Sequence, residues 1–179
     1  VALTGGHPAV GVLILRVLTL ISIAVMLILI VAAARRVGVD AGAAVWMAGA
    51  SPLTVIHLSG GLHNEVFPLA ACLAAVVLTL DRRYAWAGVV VGLAVAFKAT
   101  AVIVAPFLLW IALDHRRNSP SSGGSGLRPV AGAIVDTALA AAVATVVFVL
   151  ATFASGTGFG WVNAISVSDR VINYLSAPT

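Results

Sequence analysis

The sequence predicts an all-α membrane protein, a polytopic transmembrane helical bundle of about six spans followed by an interfacial helix. Three observations carry this. Hydrophobic residues make up 61% of the 179 positions and charged ones only 9%, against roughly 25% charged in soluble domains. So small a charged set could not cover a globule of this size, whose mean hydropathy is +1.13; lipid as solvent removes that requirement. The apolar residues also form helix-length runs rich in Ala, Leu and Val, without the alternation of strands. Only helices or closed barrels satisfy their backbone within hydrocarbon, and helices suit runs approaching ~20 residues.

The first run, 9–34, ends at Arg35 and Arg36, and the second, 41–58, ends in a polar break at 59–65. The third, 66–80, ends at Asp81, Arg82 and Arg83. Residues 84–113 are apolar except for Lys98. One helix of that length would be ~45 Å long, with a lysine at its middle and Arg82–Arg83 and Arg116–Arg117 on opposite sides. Two short helices turning near Lys98, Ala99 and Thr100 put both arginine pairs on one side, which the positive-inside rule favours. Helices of about 14 residues are too short for ~30 Å of hydrocarbon, and such spans are tolerated where they end at a water-filled cavity or are buried in protein. The segment 119–126, rich in Ser and Gly, reads as a flexible cytoplasmic linker, and 130–154 is the last long run. Residues 1–154 thus form the bundle. Residues 155–179 form an extracytoplasmic loop, with an amphipathic stretch at 162–175 and Trp161 as an aromatic anchor.

Of ten basic residues, Arg35, Arg36, Arg82, Arg83, Arg116, Arg117 and Arg128 fall on the cytoplasmic side. Their clusters read as topology, not as a nucleic-acid surface. Cys72, the single cysteine, has no internal disulfide partner. The chain does not begin with Met and opens near a helix start, which reads as a fragment.

The polar features left over converge on the opposite side. Gly60 and Gly61 allow a tight turn, and His63, Asn64 and Glu65 bring an imidazole, an amide and a carboxylate to the membrane boundary. A lysine in an apolar stretch costs roughly 2.5–3.5 kcal/mol on insertion scales. Lys98 therefore snorkels, pairs with Glu65 or binds a phosphate, and Thr100 offers a hydroxyl beside it. Arg16, about two turns into the first span, either snorkels or meets a phosphate or carboxylate. Asp136 reads as interfacial. No cluster has metal-ligand spacing, and there is no phosphate loop; no metal or cofactor is expected.

The ordered set of short motifs resembles one family. It comprises Arg35-Arg36-Val37-Gly38-Val39-Asp40, Ala44-Val45-Trp46, and Ser51-Pro52-Leu53-Thr54-Val55-Ile56-His57-Leu58. It continues with Gly60-Gly61-Leu62-His63-Asn64-Glu65, Phe97-Lys98-Ala99-Thr100, the stretch 158–166 beginning Gly158-Phe159-Gly160-Trp161, and Leu175-Ser176-Ala177-Pro178-Thr179. These resemble, in order along nearly the whole chain, the actinobacterial polyprenol-phosphate-mannose-dependent α-1,6-mannopyranosyltransferases, membrane glycosyltransferases of the GT-C fold. Ser51 departs from the pattern, where Asn ordinarily precedes the proline.

The resemblance implies an enzyme of the plasma membrane, active on its extracytoplasmic face. It would move mannose from a polyprenyl-phosphate donor to a lipid-linked α-1,6-mannan of lipomannan and lipoarabinomannan. Its partners would be that donor, the mannan acceptor and membrane lipids. His63, Asn64, Lys98, Arg16, Thr100 and Trp161 are the substrate-binding candidates and Glu65 the candidate base. The family's acidic catalytic residue usually lies in a loop that would precede Val1, so the fragment alone is expected to be inactive. A secondary transporter with a midplane site at broken helices and a non-catalytic membrane subunit are the alternatives. The transporter would be favoured by an inverted repeat, and none is visible.

Overall fold

Proline, glycine and charge set where each helix starts and stops. The computed structural model describes residues 8–60, 65–118 and 127–156. It is all-α, with no strand among the described residues. Helix α1 (Pro8–Val37) carries Arg35 and Arg36 in its last turn, where cations suit the helix dipole. Gly38 follows at φ 73°, and the Val39 amide donates to the Ala34 carbonyl at 2.9 Å, a glycine-terminated C-cap. Asp40 then caps α2 (Ala41–Gly49) by accepting from the Ala43 amide.

The second apolar run does not form one helix. Pro52 has no amide to donate, and α2 stops at Gly49. The chain resumes as a wide π-helical turn, Leu53–Gly60. The Thr54 hydroxyl donates to the Ala48 carbonyl at 2.6 Å, satisfying an acceptor freed by the break.

Helices α3 (Val66–Leu80) and α4 (Tyr84–Phe97) follow, joined by a tight turn. A 3₁₀ segment, Ala99–Val104, leads into α5 (Ala105–Arg117), and α6 (Leu127–Ala154) closes the described bundle. The 84–113 run is therefore interrupted at Lys98, as its charge pattern predicts. Pro106, in the first turn of α5, cannot donate to Val102. The Ala105 amide bonds the Val102 carbonyl instead, a 3₁₀ closure. The second helix continues past the apolar run through Arg117, so the 3₁₀ segment and α5 together give 19 residues, against 14 in α4.

Three helical stretches, Ala9–Val37, Ala99–Arg117 and Leu127–Ala154, are long and apolar enough to cross a membrane; Val66–Leu80 and Tyr84–Phe97 are shorter apolar helices. Among the described residues, the expected six spans correspond to these three long helical stretches, the two short apolar helices and the broken α2 unit.

Helix α4 lies between α3 and α6, and α1 packs on α3. Ala75, Ala87, Val91, Val104 and Leu108 form the core. Large apolar side chains such as Ile28, Trp46, Met47, Ile103 and Trp110 are more than two-thirds exposed, which suits a lipid environment and no aqueous one.

Charge pairs give the helices their direction. Arg36 at the end of α1 makes a two-pronged pair with Asp81 at the end of α3, at 2.7 and 2.8 Å, so the two helices run parallel. Tyr84 Oη at the start of α4 lies 3.4 Å from His115 Nδ1 near the end of α5, so the chain does reverse at Lys98. Arg116 grips Asp136 at 2.7 and 2.8 Å. Asp136 is thus a partner of α5 as well as a residue near the membrane boundary. All these contacts gather at one end of the bundle.

Candidate functional site

The other end is built around the two places where helices stop. Glu65 sits in a helical backbone conformation immediately before α3, and its carboxylate makes no capping bond to that helix. Lys98 interrupts the chain between α4 and the 3₁₀ segment in an extended conformation, φ −152° and ψ 115°. Its amide still donates to Ala94 at 2.9 Å, and its carbonyl accepts from Ala101 at 2.9 Å. The backbone is thus held on both sides of the break. The Phe67 and Phe97 rings pack at a 34° tilt with centroids 5.7 Å apart, joining the start of α3 to the end of α4. Across that junction Lys98 Nζ meets Glu65 Oε1 at 2.6 Å.

This pair is wet. The two side chains are 42% and 43% exposed, and an exposed pair stabilises a fold by roughly 0–1 kcal/mol. It lines a cavity of about 310 Å³ with Thr100, Cys72, Leu58 and Leu69. Leu69 and Cys72 also line a neighbouring groove of about 320 Å³, between Leu73 and Val76 of α3 and Phe107, Trp110 and Ile111 of α5. Charge at one end and an apolar trough leading away suit an amphiphile with an anionic head.

A third cavity, about 270 Å³, lies among α4, α5 and α6. Its polar lining is Thr137 and Thr145, whose hydroxyls donate to carbonyls of their own helix. It offers no charged group for chemistry.

The predicted candidates separate under the structure. Glu65, Lys98 and Thr100 share the cavity. Arg16 is exposed on α1 and is not among the residues lining it; it makes no ion pair among the described residues. The rise from Arg36 to Arg16 is roughly 30 Å, which places Arg16 at the Glu65 end of the bundle but outside the cavity. His63, Asn64 and Trp161, with the interfacial helix expected at 162–175, lie outside the described residues. Among the described residues no three His, Cys, Asp or Glu side chains gather as metal ligands.

Sequence reasoning missed Leu69 and Cys72. The signal was there: Glu65, Leu69, Cys72 and Val76 recur at helical spacing and so share one face of α3. The Cys72 thiol faces the Ala101 carbonyl at 3.7 Å, which ties that face to the 3₁₀ segment.

Comparison with known proteins converges on one family. The model of the alpha-(1->6)-mannopyranosyltransferase N-terminal domain matches residues 1–114. Alpha-(1->6)-mannopyranosyltransferase A of Mycobacterium tuberculosis is 32% identical over 99% of the chain and 33% of its own length. The protein of that name from Corynebacterium glutamicum is 32% identical over 98% of the chain and 37% of its own length. The chain therefore spans about a third of the length of these relatives. No solved structure matches.

Proposed function

The chain belongs to the alpha-(1->6)-mannopyranosyltransferase family, and from that premise we propose that the whole protein is a membrane mannosyltransferase whose donor phosphate is received by the Lys98 cavity. The donor in this reading is a polyprenyl phosphate bearing mannose. The acceptor is a lipid-linked α-1,6-mannan of the lipomannan type. The working face is the extracytoplasmic side of the plasma membrane.

One observation carries the proposal. A lysine and a carboxylate 2.6 Å apart line an open cavity that shares Leu69 and Cys72 with an apolar groove. A lipid-linked sugar phosphate has that polarity: a charged head for Lys98 and a hydrocarbon chain for the groove between α3 and α5. The cluster of arginines at the opposite end supports the extracytoplasmic placement through the positive-inside rule.

In the proposed reaction an acceptor mannose hydroxyl attacks the anomeric carbon of the donor. The new glycosidic C–O bond forms as the bond to the lipid phosphate oxygen breaks, and that oxygen keeps the electron pair. Lys98 stabilises the charge gathering on the phosphate, an interaction worth more as the charge develops. The hydroxyl proton passes to a carboxylate acting as general base, for which Glu65 is the candidate in the cavity. Thr100 and the predicted His63, Asn64 and Trp161 would contact the sugar.

The test uses the full-length protein in membranes, with radiolabelled polyprenyl-phosphate-mannose and a mannoside acceptor. Wild type is expected to elongate the acceptor. Lys98→Ala should lower kcat by roughly 10²-fold, the scale of losing one electrostatic stabiliser, and Glu65→Gln should lower kcat by a similar factor if it is the base. No transfer by wild type from this donor would sink the reading.

A further inference from the structure

The cavity already contains an anion: the protein's own. We infer that the Glu65 carboxylate is the resting occupant of the phosphate position on Lys98, and that a lipid phosphate binds by exchanging with it. The inference rests on the reading that the ligand here is a lipid phosphate, and it concerns what that ligand must displace.

Four observations lead to it. Lys98 Nζ is engaged by Glu65 Oε1 at 2.6 Å, so an incoming anion meets a cation that is already neutralised. Both side chains are more than two-fifths exposed, so the pair lies within reach of water and ligand and is weak enough to open. Each member sits at the end of a helix, not within one, so either side chain can swing without unwinding a turn. Glu65 also has a second seat. It immediately precedes α3, whose first amides have no helical acceptor and whose dipole favours a carboxylate. In the structure its side chain makes no capping bond there.

Exchange accounts for a difficulty in the site. A bare lysine below the outer edge of the hydrocarbon is costly, and Glu65 keeps Lys98 paired while the cavity is empty. When the phosphate arrives, Lys98 passes from one anion to the other. Glu65 is released beside the new ligand instead of being held by the cation. The same residue therefore opposes ground-state binding and becomes available to the chemistry.

This gives an unusual sign to one substitution. Glu65→Gln removes the competitor while keeping the size of the side chain. It should bind a phosphate-headed lipid more tightly, by roughly fivefold, the equivalent of an exposed pair worth about 1 kcal/mol. Lys98→Gln should bind it at least tenfold more weakly. The probe is geranyl phosphate, titrated calorimetrically into the full-length protein in nanodiscs, with the melting temperature of each variant measured alongside. Glu65→Asp withdraws the carboxylate by one methylene and should fall between wild type and Glu65→Gln. It carries the test if the glutamine variant does not fold.

Tighter binding by Glu65→Gln with weaker binding by Lys98→Gln is the expected result. Weaker or unchanged binding by both Glu65 variants overturns the exchange and makes the pair a structural clamp. Absence of geranyl phosphate binding in wild type and variants alike overturns it too. The transferase reading is judged separately by mannose transfer. Mannose transfer by wild type without tighter lipid binding in Glu65→Gln leaves the function and removes the exchange; tighter binding in Glu65→Gln without transfer by wild type does the reverse.

Discussion

Arg82 occupies a backbone conformation that glycine takes at no steric cost. Its φ is 58°. Its amide donates to Thr79 at 2.9 Å while that of Arg83 donates to Leu78 at 2.8 Å, the paired bonds that close a helix through a left-handed residue. An L-residue there costs roughly 1–2 kcal/mol, so arginine is kept against its backbone preference, at a position where the membrane rewards a cation. Arg82→Gly is expected to raise the melting temperature of the solubilised protein while lowering the fraction correctly oriented on insertion; a lower melting temperature would contradict it. Its neighbour Asp81 titrates below the usual carboxylate range because the Arg36 guanidinium donates to it. A depressed carboxylate contributes stability that is present above its unfolded pKa and lost as pH falls through its folded one. Thermal stability should therefore drop on acidification below the ordinary aspartate range, and Asp81→Asn should remove that part of the pH dependence.

At the scale of elements, α4 and α6 touch through backbone. A Cβ on Gly88 would collide with the Ala140 carbonyl, and one on Gly92 would lie 2.5 Å from the Ala144 carbonyl and 2.8 Å from Val147 Cβ. This is small-residue packing, which lets membrane helices approach where there is little hydrophobic drive to bring them together. Gly88→Leu should separate the helices and destabilise the protein by about 1–3 kcal/mol, read as a lower unfolding midpoint. A surface change on the same helix, Leu93→Ala, should do far less, since Leu93 is 50% exposed. The groove between α3 and α5 makes its own prediction. Val76→Trp should fill it and raise KM for a long-chain lipid donor more than for a ten-carbon one; equal effects would place the chain elsewhere.

Much of this level was legible in the sequence, and for identifiable reasons. Lys98 is a charge at the middle of an apolar run flanked by two arginine pairs, and a break there puts both pairs on one side. Glu65 was a readable partner because both residues had to lie on the side opposite the arginines. The split at Pro52 was missed because no Asp, Glu, Lys or Arg marks it: Ser51, Thr54 and His57 are scattered singly, and the run carries no formal charge between Asp40 and Glu65. The Arg116–Asp136 pair was missed because sequence places both near a boundary and says nothing of which helices are neighbours. Packing of α4 on α6 was hidden for the same reason: Gly88 and Gly92 mark a close approach without naming the partner.

At the scale of the molecule, the charge pairs among the described residues sort into two levels. Arg36–Asp81, Arg116–Asp136 and the Tyr84–His115 contact define one level; Glu65–Lys98 defines the other. Helix α3, with its 15 residues, separates them by roughly 22 Å, well short of ~30 Å of hydrocarbon. If the arginines mark the inner interface, Lys98 lies several ångströms below the outer one, too deep for two exposed charges unless water follows them. The cavity at the pair must then be a wet depression reached from outside. Labelling can decide this. In a Cys72→Ser background, a cysteine placed at Thr100 should react with an impermeant maleimide in right-side-out vesicles, and one at Ser121 only after the membrane is opened. Geranyl phosphate should slow the first reaction and leave the second alone. Reaction of Thr100→Cys from the inner side would invert the topology and with it the extracytoplasmic site. Failure to react from either side would mean that the depression is closed and that no water reaches the Glu65–Lys98 pair from either face.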